Sequence, residues 1–180
     1  MNEITDREIV FSTAWFDIVA KTLAGWTSPH YAVQSPDYVT VLATTTSGRV
    51  LVVRQFRPAV EEFTLELPAG HVDSGETAEE AARRELLEET GYVAGDLVLL
   101  ASLAPDTGRF GMRQWCYFAG EARSPGPDWV GEDGVDVSEW NVSDLLAAIR
   151  ESKFNHSLHL AVVLLWMLRT PGLTPGLGPP

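Results

Sequence analysis

The stretch from Gly70 to Tyr92, GHVDSGETAEEAARRELLEETGY, constrains the fold most, because here the spacing of the chain changes from strand-like to helical. Thr77 followed three residues later by Glu80 is the pattern of a capping box, in which each side chain takes up a backbone N–H that the first helical turn leaves free. Ala78 to Glu89 are helix formers with no β-branched residue among them, and Gly91 stands where a left-handed C-terminal cap is wanted. The spacing predicts a helix over about 77–90, entered through a loop with Asp73, Ser74 and Gly75. On either side, β-branched and aromatic runs dominate. YVTVLATT and RVLVVRQF, with Ser47 and Gly48 as turn formers between them, read as a hairpin feeding a core sheet, and FTLELPAG reads as a further strand. DLVLLASLAP and RQWCYFAGEA follow as strands joined by PDTGRFG, and a loop from Ser124 to Gly134 leads to a short strand near VDVSEW. Helices are expected near Val142 to Glu151 and Ser157 to Arg169, the last stopped by Pro171.

These elements amount to one domain with decorations, as expected for 180 residues with 45% hydrophobic and 21% charged content. The expected organisation is a strand-rich extension over 1–36, a core over 37–170 and a Pro/Gly tail over 171–180. A net charge of −12 disfavours nucleic acid and anionic membranes as partners, since both are held by Lys/Arg patches. Cys116 is the single cysteine, so no intrachain disulfide can form, and with no cleavable signal pattern at Met1 the expected compartment is the cytoplasm. The longest apolar run, Leu158 to Leu168, falls short of the roughly 20 residues that span a bilayer and is expected as a buried helix.

The chemistry is concentrated in RELLEE. Residues i, i+3 and i+4 of a helix share a face, so Glu85, Glu88 and Glu89 project within an arc of about 100°. Each exposed like-charge pair costs only a few tenths of a kcal/mol, so an acidic solvated face would tolerate them. Oxygen-rich clusters are also what hard cations such as Mg2+ bind. Spacing separates the two readings: Gly70, Glu76, Arg84, Glu85, Leu86, Glu88, Glu89 and Gly91 fall on the pattern Gx5Ex7REUxEExGU, where U is bulky and aliphatic, and the stretch therefore resembles the signature of the Nudix hydrolases. Seven fixed letters at about 7% each match by chance at one start point on the order of once in 10^8. Tyr92 departs from the pattern as an aromatic residue, and can pack as an apolar one.

The resemblance implies an α+β fold, an α/β/α sandwich on a mixed β-sheet with a catalytic loop and helix. It implies hydrolysis of a nucleoside diphosphate linked to another group, with Mg2+ or Mn2+ as cofactor. VVRQFRP and LELPAGHVDSGE are similar to the ADP-ribose pyrophosphatase branch, whose dimerisation arm the N-terminal extension resembles, so a homodimer is expected. On the family pattern the catalytic set is Glu85, Glu88, Glu89 and Arg84, with Glu132 or Asp133 as the base, and the metal set adds Ala69 and Glu66. The substrate side takes Arg54, Arg57, Arg109, Gly70 and Glu76. Arg84 orients the carboxylates or forms an ion pair with Glu88, and Glu76 ligates metal or holds the loop. Arg54 and Arg57 grip the diphosphate or an adenine, or pair with Glu61, Glu62 or Glu66. Trp26, Tyr31, Phe110 and Trp129 are candidates for stacking on a base. His71 reads as a turn residue, while His30, His156 and His159 lack metal-type spacing. The alternatives to a nucleotide sugar are a dinucleoside polyphosphate, an oxidised nucleotide or a coenzyme A derivative, or a ligand-sensing module without turnover.

Overall fold

The structure, a computed structural model, describes residues 3–124, 126, 129–170 and 172. Pro171 and the rest of the Pro/Gly tail except Gly172 lie outside the described residues. The N-terminal segment forms three strands, β1 (Ile4–Ser12), β2 (Asp17–Leu23) and β3 (His30–Gln34), in one antiparallel sheet of order β1-β2-β3. The main sheet is built from β4 (Tyr38–Thr45), β5 (Val50–Arg57), β6 (Glu62–Glu66), β7 (Ala69–His71), β8 (Leu97–Leu103), β9 (Gln114–Ala122) and β10 (Val135–Trp140). Its order is β10-β5-β4-β9-β8, with β6 on β5 and β7 on β4. The sheet is mixed, because β4 and β9 run parallel while the other pairs are antiparallel.

Among the described residues, three helices cover the sheet: α1 (Ala78–Thr90), α2 (Val142–Arg150) and α3 (Ser157–Arg169). Side chains alternate across a strand, so β4 feeds two cores. Val39, Val41 and Ala43 pack with Ala81, Ala82 and Leu86 of α1. Leu42 joins Val50, Val52 and Cys116 against Leu145 of α2 and Val162, Val163 and Trp166 of α3. The result is an α/β/α sandwich whose central strand is buried from Val39 to Ala43. Full burial of a side chain such as Leu86 stabilises the fold by about 1.5–3 kcal/mol. Cys116 sits in this core, where burial pushes its thiol up to about 11.

α1 begins and ends where its local sequence places it. Thr77 accepts from the Glu80 N–H, Glu80 accepts from the Thr77 N–H, and Gly91 closes the helix at φ 72° with its N–H on the Leu87 carbonyl. The PDTGRFG loop is fastened to β3: Val33 donates to the Arg109 carbonyl and Gly111 donates to the Val33 carbonyl, each at 2.8 Å. No helix among the described residues is long and apolar enough to cross a membrane.

Candidate active site

β6 and β7 bring the chain past the sheet and into the loop before α1, and this path sets the geometry of the carboxylates. β7 pairs with β4 through Ala69↔Thr40, Gly70↔Val39 and His71↔Tyr38, so His71 is a strand residue, not a turn residue, because its backbone continues the ladder. The Ala69 N–H donates to Glu89 Oε2 at 2.9 Å, and Glu89 is buried. Gly70 has a steric reason to be glycine: a Cβ there would lie 2.5 Å from Glu85 Oε2 and closer still to the other atoms of that carboxylate.

Arg84 is the organising cation. Its Nε and Nη2 donate to the two oxygens of Glu76, each at 3.0 Å, in the bidentate fork that guanidinium and carboxylate favour. Nη1 donates to Glu85 Oε1 at 2.7 Å and Glu88 Oε2 at 3.0 Å, and Nη2 also donates to the His71 carbonyl at 2.9 Å. One side chain thereby ties the loop, the end of β7 and two of the three helical carboxylates. The Glu76 carboxylate is taken up by this fork and by the Asp73 N–H.

The three glutamates differ in environment. Glu88 is half exposed, whereas the Glu85 side chain retains 14% of its surface. Burial raises the Glu85 carboxyl above its usual value, with the Arg84 hydrogen bond pulling the other way. Burial pushes Glu89 up to about 8, opposed by the Ala69 N–H and reinforced by the charges of Glu85 and Glu132. A carboxyl raised as far as that of Glu89 lacks counter-charge, and three carboxylate oxygen donors on one helix face fit a hard divalent cation.

Glu132 faces the helix across a cleft of about 630 Å³, lined by Glu85 and Glu88 on one side and Trp129, Val130 and Glu132 on the other. Asp133 does not line it. Of the aromatic candidates, Trp129 lies in this cleft, while Trp26, Tyr31 and Phe110 are exposed.

The remaining candidates sit elsewhere. Glu66 is fully buried and accepts from Arg57 Nε at 2.8 Å, Arg57 Nη2 at 2.6 Å and Thr64 Oγ1 at 2.6 Å. Burial alone would raise the Glu66 carboxyl, but the Arg57 and Thr64 hydrogen bonds outweigh it and hold it at about 2. Arg54 is turned to Asp136, its partner on β10, at 3.3 Å, and lies over the Phe63 ring at 3.9 Å. Arg109 is 81% exposed and pairs with Asp106.

The expectation that His156 and His159 lack metal-type spacing is corrected. Three residues apart at the start of α3, their rings stack with centroids 3.9 Å apart. Among the described residues, Glu66, His156 and His159 form a group that could hold a metal ion, their ligand atoms lying within 4.8 Å of one another. A cavity of about 370 Å³ opens beside Arg57, Glu66 and His156. The signal missed in the sequence is a histidine at a core position of the apolar run that starts at Leu158.

A crystal structure of an ADP compounds hydrolase superposes with a TM-score of 0.75 at 20% identity, covering 93% of this chain and 94% of that one, which shows a shared fold. The ADP-ribose pyrophosphatase of Bacillus subtilis (strain 168) is 36% identical over 105 residues, 57% of each chain, so this chain spans little more than half of that relative. The methanol dehydrogenase activator of Bacillus methanolicus is 33% identical over 135 residues, 74% of this chain and 73% of that one. The family model of the NUDIX domain matches residues 35–160, which hold the whole RELLEE face, its loop and Glu132, and the chain therefore belongs to the Nudix family.

Proposed function

We propose that this protein is a Mg2+-dependent hydrolase, with Mn2+ as a substitute, of the diphosphate linkage in ADP-ribose or a related nucleoside diphosphate sugar. The products are a nucleoside monophosphate and a sugar phosphate. The observation that carries this reading is the convergence of Glu85, Glu88 and Glu132 on one cleft, with Glu89 buried on the same helix. The similarity to an ADP-ribose pyrophosphatase supports the substrate class.

In this reading Glu85, Glu88 and Glu89, with the Ala69 carbonyl, hold the divalent ion. Glu66 is left out of that set because Arg57 and Thr64 already engage its carboxylate. A bound ion supplies neutralisation of the diphosphate charge and makes a water more acidic. Arg84 keeps Glu85 and Glu88 aimed in one direction, and its fork on Glu76 fixes the loop. Glu132, on the far wall of the cleft, takes the proton of the attacking water. The water oxygen bonds to one phosphorus while that phosphorus loses its bond to the bridging oxygen, and the departing phosphate carries away the electron pair. Arg57, whose charge reaches Glu89, is the candidate for steadying the diphosphate, and Trp129 offers a ring face for a base. Arg54 and Arg109 take part by moving from Asp136 and Asp106.

Residues 1–36 serve as the arm of a homodimer, supported by Ile9, Phe11 and Trp15, which this sheet leaves exposed. Residues 37–170 form the catalytic unit, and the protein works in the cytoplasm on a small molecule.

Mass spectrometry of a substrate panel with Mg2+ tests the reading. It includes ADP-ribose, other nucleoside diphosphate sugars, a dinucleoside polyphosphate, an oxidised nucleoside triphosphate and a coenzyme A derivative. Preferential cleavage of the nucleotide sugars is expected. Preference for another member moves the substrate class, and ADP-ribose binding without cleavage makes the chain a sensing module.

A further inference from the structure

Leu67 stands where the chain changes partners. β6 pairs with β5 up to Glu66↔Val53, and β7 pairs with β4 from Ala69↔Thr40, so Leu67 falls between two ladders. Pro68 has no N–H, and the Pro68 carbonyl accepts from the Val41 N–H at 2.9 Å. The Leu67 N–H donates to Nδ1 of His159, at 3.0 Å, from the helix on the other face of the sheet. Leu67 and His159 are both fully buried, so a donor left without this partner would carry a desolvation penalty.

From Ala69 to His71 each residue bears on the carboxylate face. Ala69 donates to Glu89, Gly70 lies against Glu85, and the His71 carbonyl accepts from Arg84. The first turn of α3 is itself fixed: Gln114 Nε2 donates to the Leu158 carbonyl at 2.9 Å and to Thr40 Oγ1 at 3.1 Å. We infer that His159 is a positioning residue that sets the 67–71 segment, and through it the placement of Glu85 and Glu89.

The same geometry makes His159 a poor metal ligand. With Nδ1 accepting a backbone N–H, a neutral imidazole carries its proton on Nε2, which points to the Tyr38 hydroxyl at 3.5 Å. The His156 and His159 rings are stacked, with centroids 3.9 Å apart and 22° between planes, so an ion in the plane of one ring lies out of the plane of the other, although their ligand atoms are close.

The inference rests on metal binding at the α1 face, and the test separates the two. Mn2+ binding is followed by electron paramagnetic resonance, and exchange of the Ala69 amide by NMR, in the wild type, Glu88→Gln, His159→Leu and His159→Asn. Asn presents an oxygen close to the Nδ1 position. His159→Leu is expected to bind Mn2+ about ten-fold more weakly or worse, in keeping with the effect of outer groups on metal affinity, and to lose Ala69 protection. His159→Asn is expected to recover both. Should the Leu variant fail to fold, His159→Gln, whose carbonyl lies beyond the Nδ1 position, replaces it in the comparison. Unchanged Mn2+ affinity and Ala69 protection in the variant lacking the acceptor would overturn the inference, as would an Asn variant no better than it. Stoichiometric Zn2+ binding lost from that variant, with Ala69 still protected, would also overturn it and make His159 a ligand. A wild type that binds Mn2+ no better than Glu88→Gln contradicts the metal face instead.

Discussion

Gly70→Ala tests the site through a single methyl group. In the native backbone that methyl would lie within 3.0 Å of three atoms of the Glu85 carboxylate, the most distant of them at 2.5 Å. Ordinary van der Waals contact begins at 3.4 Å, so the carboxylate has to retreat by about 1 Å or more. What it meets is the end of a side chain, not backbone, so the strain is relieved by swinging Glu85 out of the grip of Arg84. The expected cost in stability is about 1–3 kcal/mol, that of a modest overpacking. Displacement of a catalytic group by about 1 Å costs on the order of 100-fold in rate. Steady-state kinetics and thermal unfolding on the same preparation should therefore show kcat falling about 100-fold in a protein that remains folded at the assay temperature. Activity within two-fold of wild type would refute the claim that Glu85 must sit against Gly70 for turnover.

Glu132→Gln should lower kcat by at least about 100-fold, the usual contribution of a general base, while Asp133→Asn leaves it near wild type; equal losses would remove Glu132 from the role. Arg57→Ala leaves the Glu66 carboxylate buried without its fork and should cost about 3 kcal/mol in urea unfolding, the low end for a broken buried pair because the Arg57 side chain is 37% exposed. An unchanged midpoint would show that the pair is dispensable. In metal-free protein Glu89 holds a proton up to about 8 that the unfolded chain releases near 4.5, so its contribution to stability is full below 4.5 and is lost as pH rises through 8. His159, which burial and His156 depress to about 3, works in the opposite sense: its contribution is full above 6.5 and falls as pH drops below that value. The Glu89 effect is therefore unopposed by His159 between 6.5 and 8, where Tm measured in chelator should fall with pH and Glu89→Gln should flatten the slope.

What the sequence disclosed and what it hid follow from the range of the interactions. α1, expected over about 77–90 and found over Ala78–Thr90, was legible because its signals are local: Thr77, Glu80 and Gly91 act within one turn of its ends. The shared partnership of Glu85 and Glu88 with Arg84 was legible for the same reason, since i, i+1 and i+4 are fixed by the helix. The α/β/α layering was implied by the resemblance to the Nudix hydrolases, whereas FTLELPAG, expected as one strand, is divided at Leu67 and Pro68 into β6 and β7, which pair with different neighbours. Long-range pairings were not legible. Arg54 meets Asp136 because β10 pairs with β5 in a register that no local pattern specifies. His159 meets Leu67 across 92 positions, and only because β6 and β7 leave that amide between ladders. His71 reads as a turn residue in the sequence because its three-residue strand is too short to show alternation.

Glu85, Glu88 and Glu89 are proposed as the metal face on which a nucleotide sugar is cleaved. The most direct test of this proposal is ADP-ribose turnover under a Mg2+ titration, followed by mass spectrometry, in the wild type and in Glu88→Gln. Expected are AMP and ribose 5-phosphate in equal amounts from the wild type, no product in chelator, and loss of most turnover in a folded Glu88→Gln at every Mg2+ concentration. Wild-type turnover that persists in chelator, or full activity in Glu88→Gln, would contradict it.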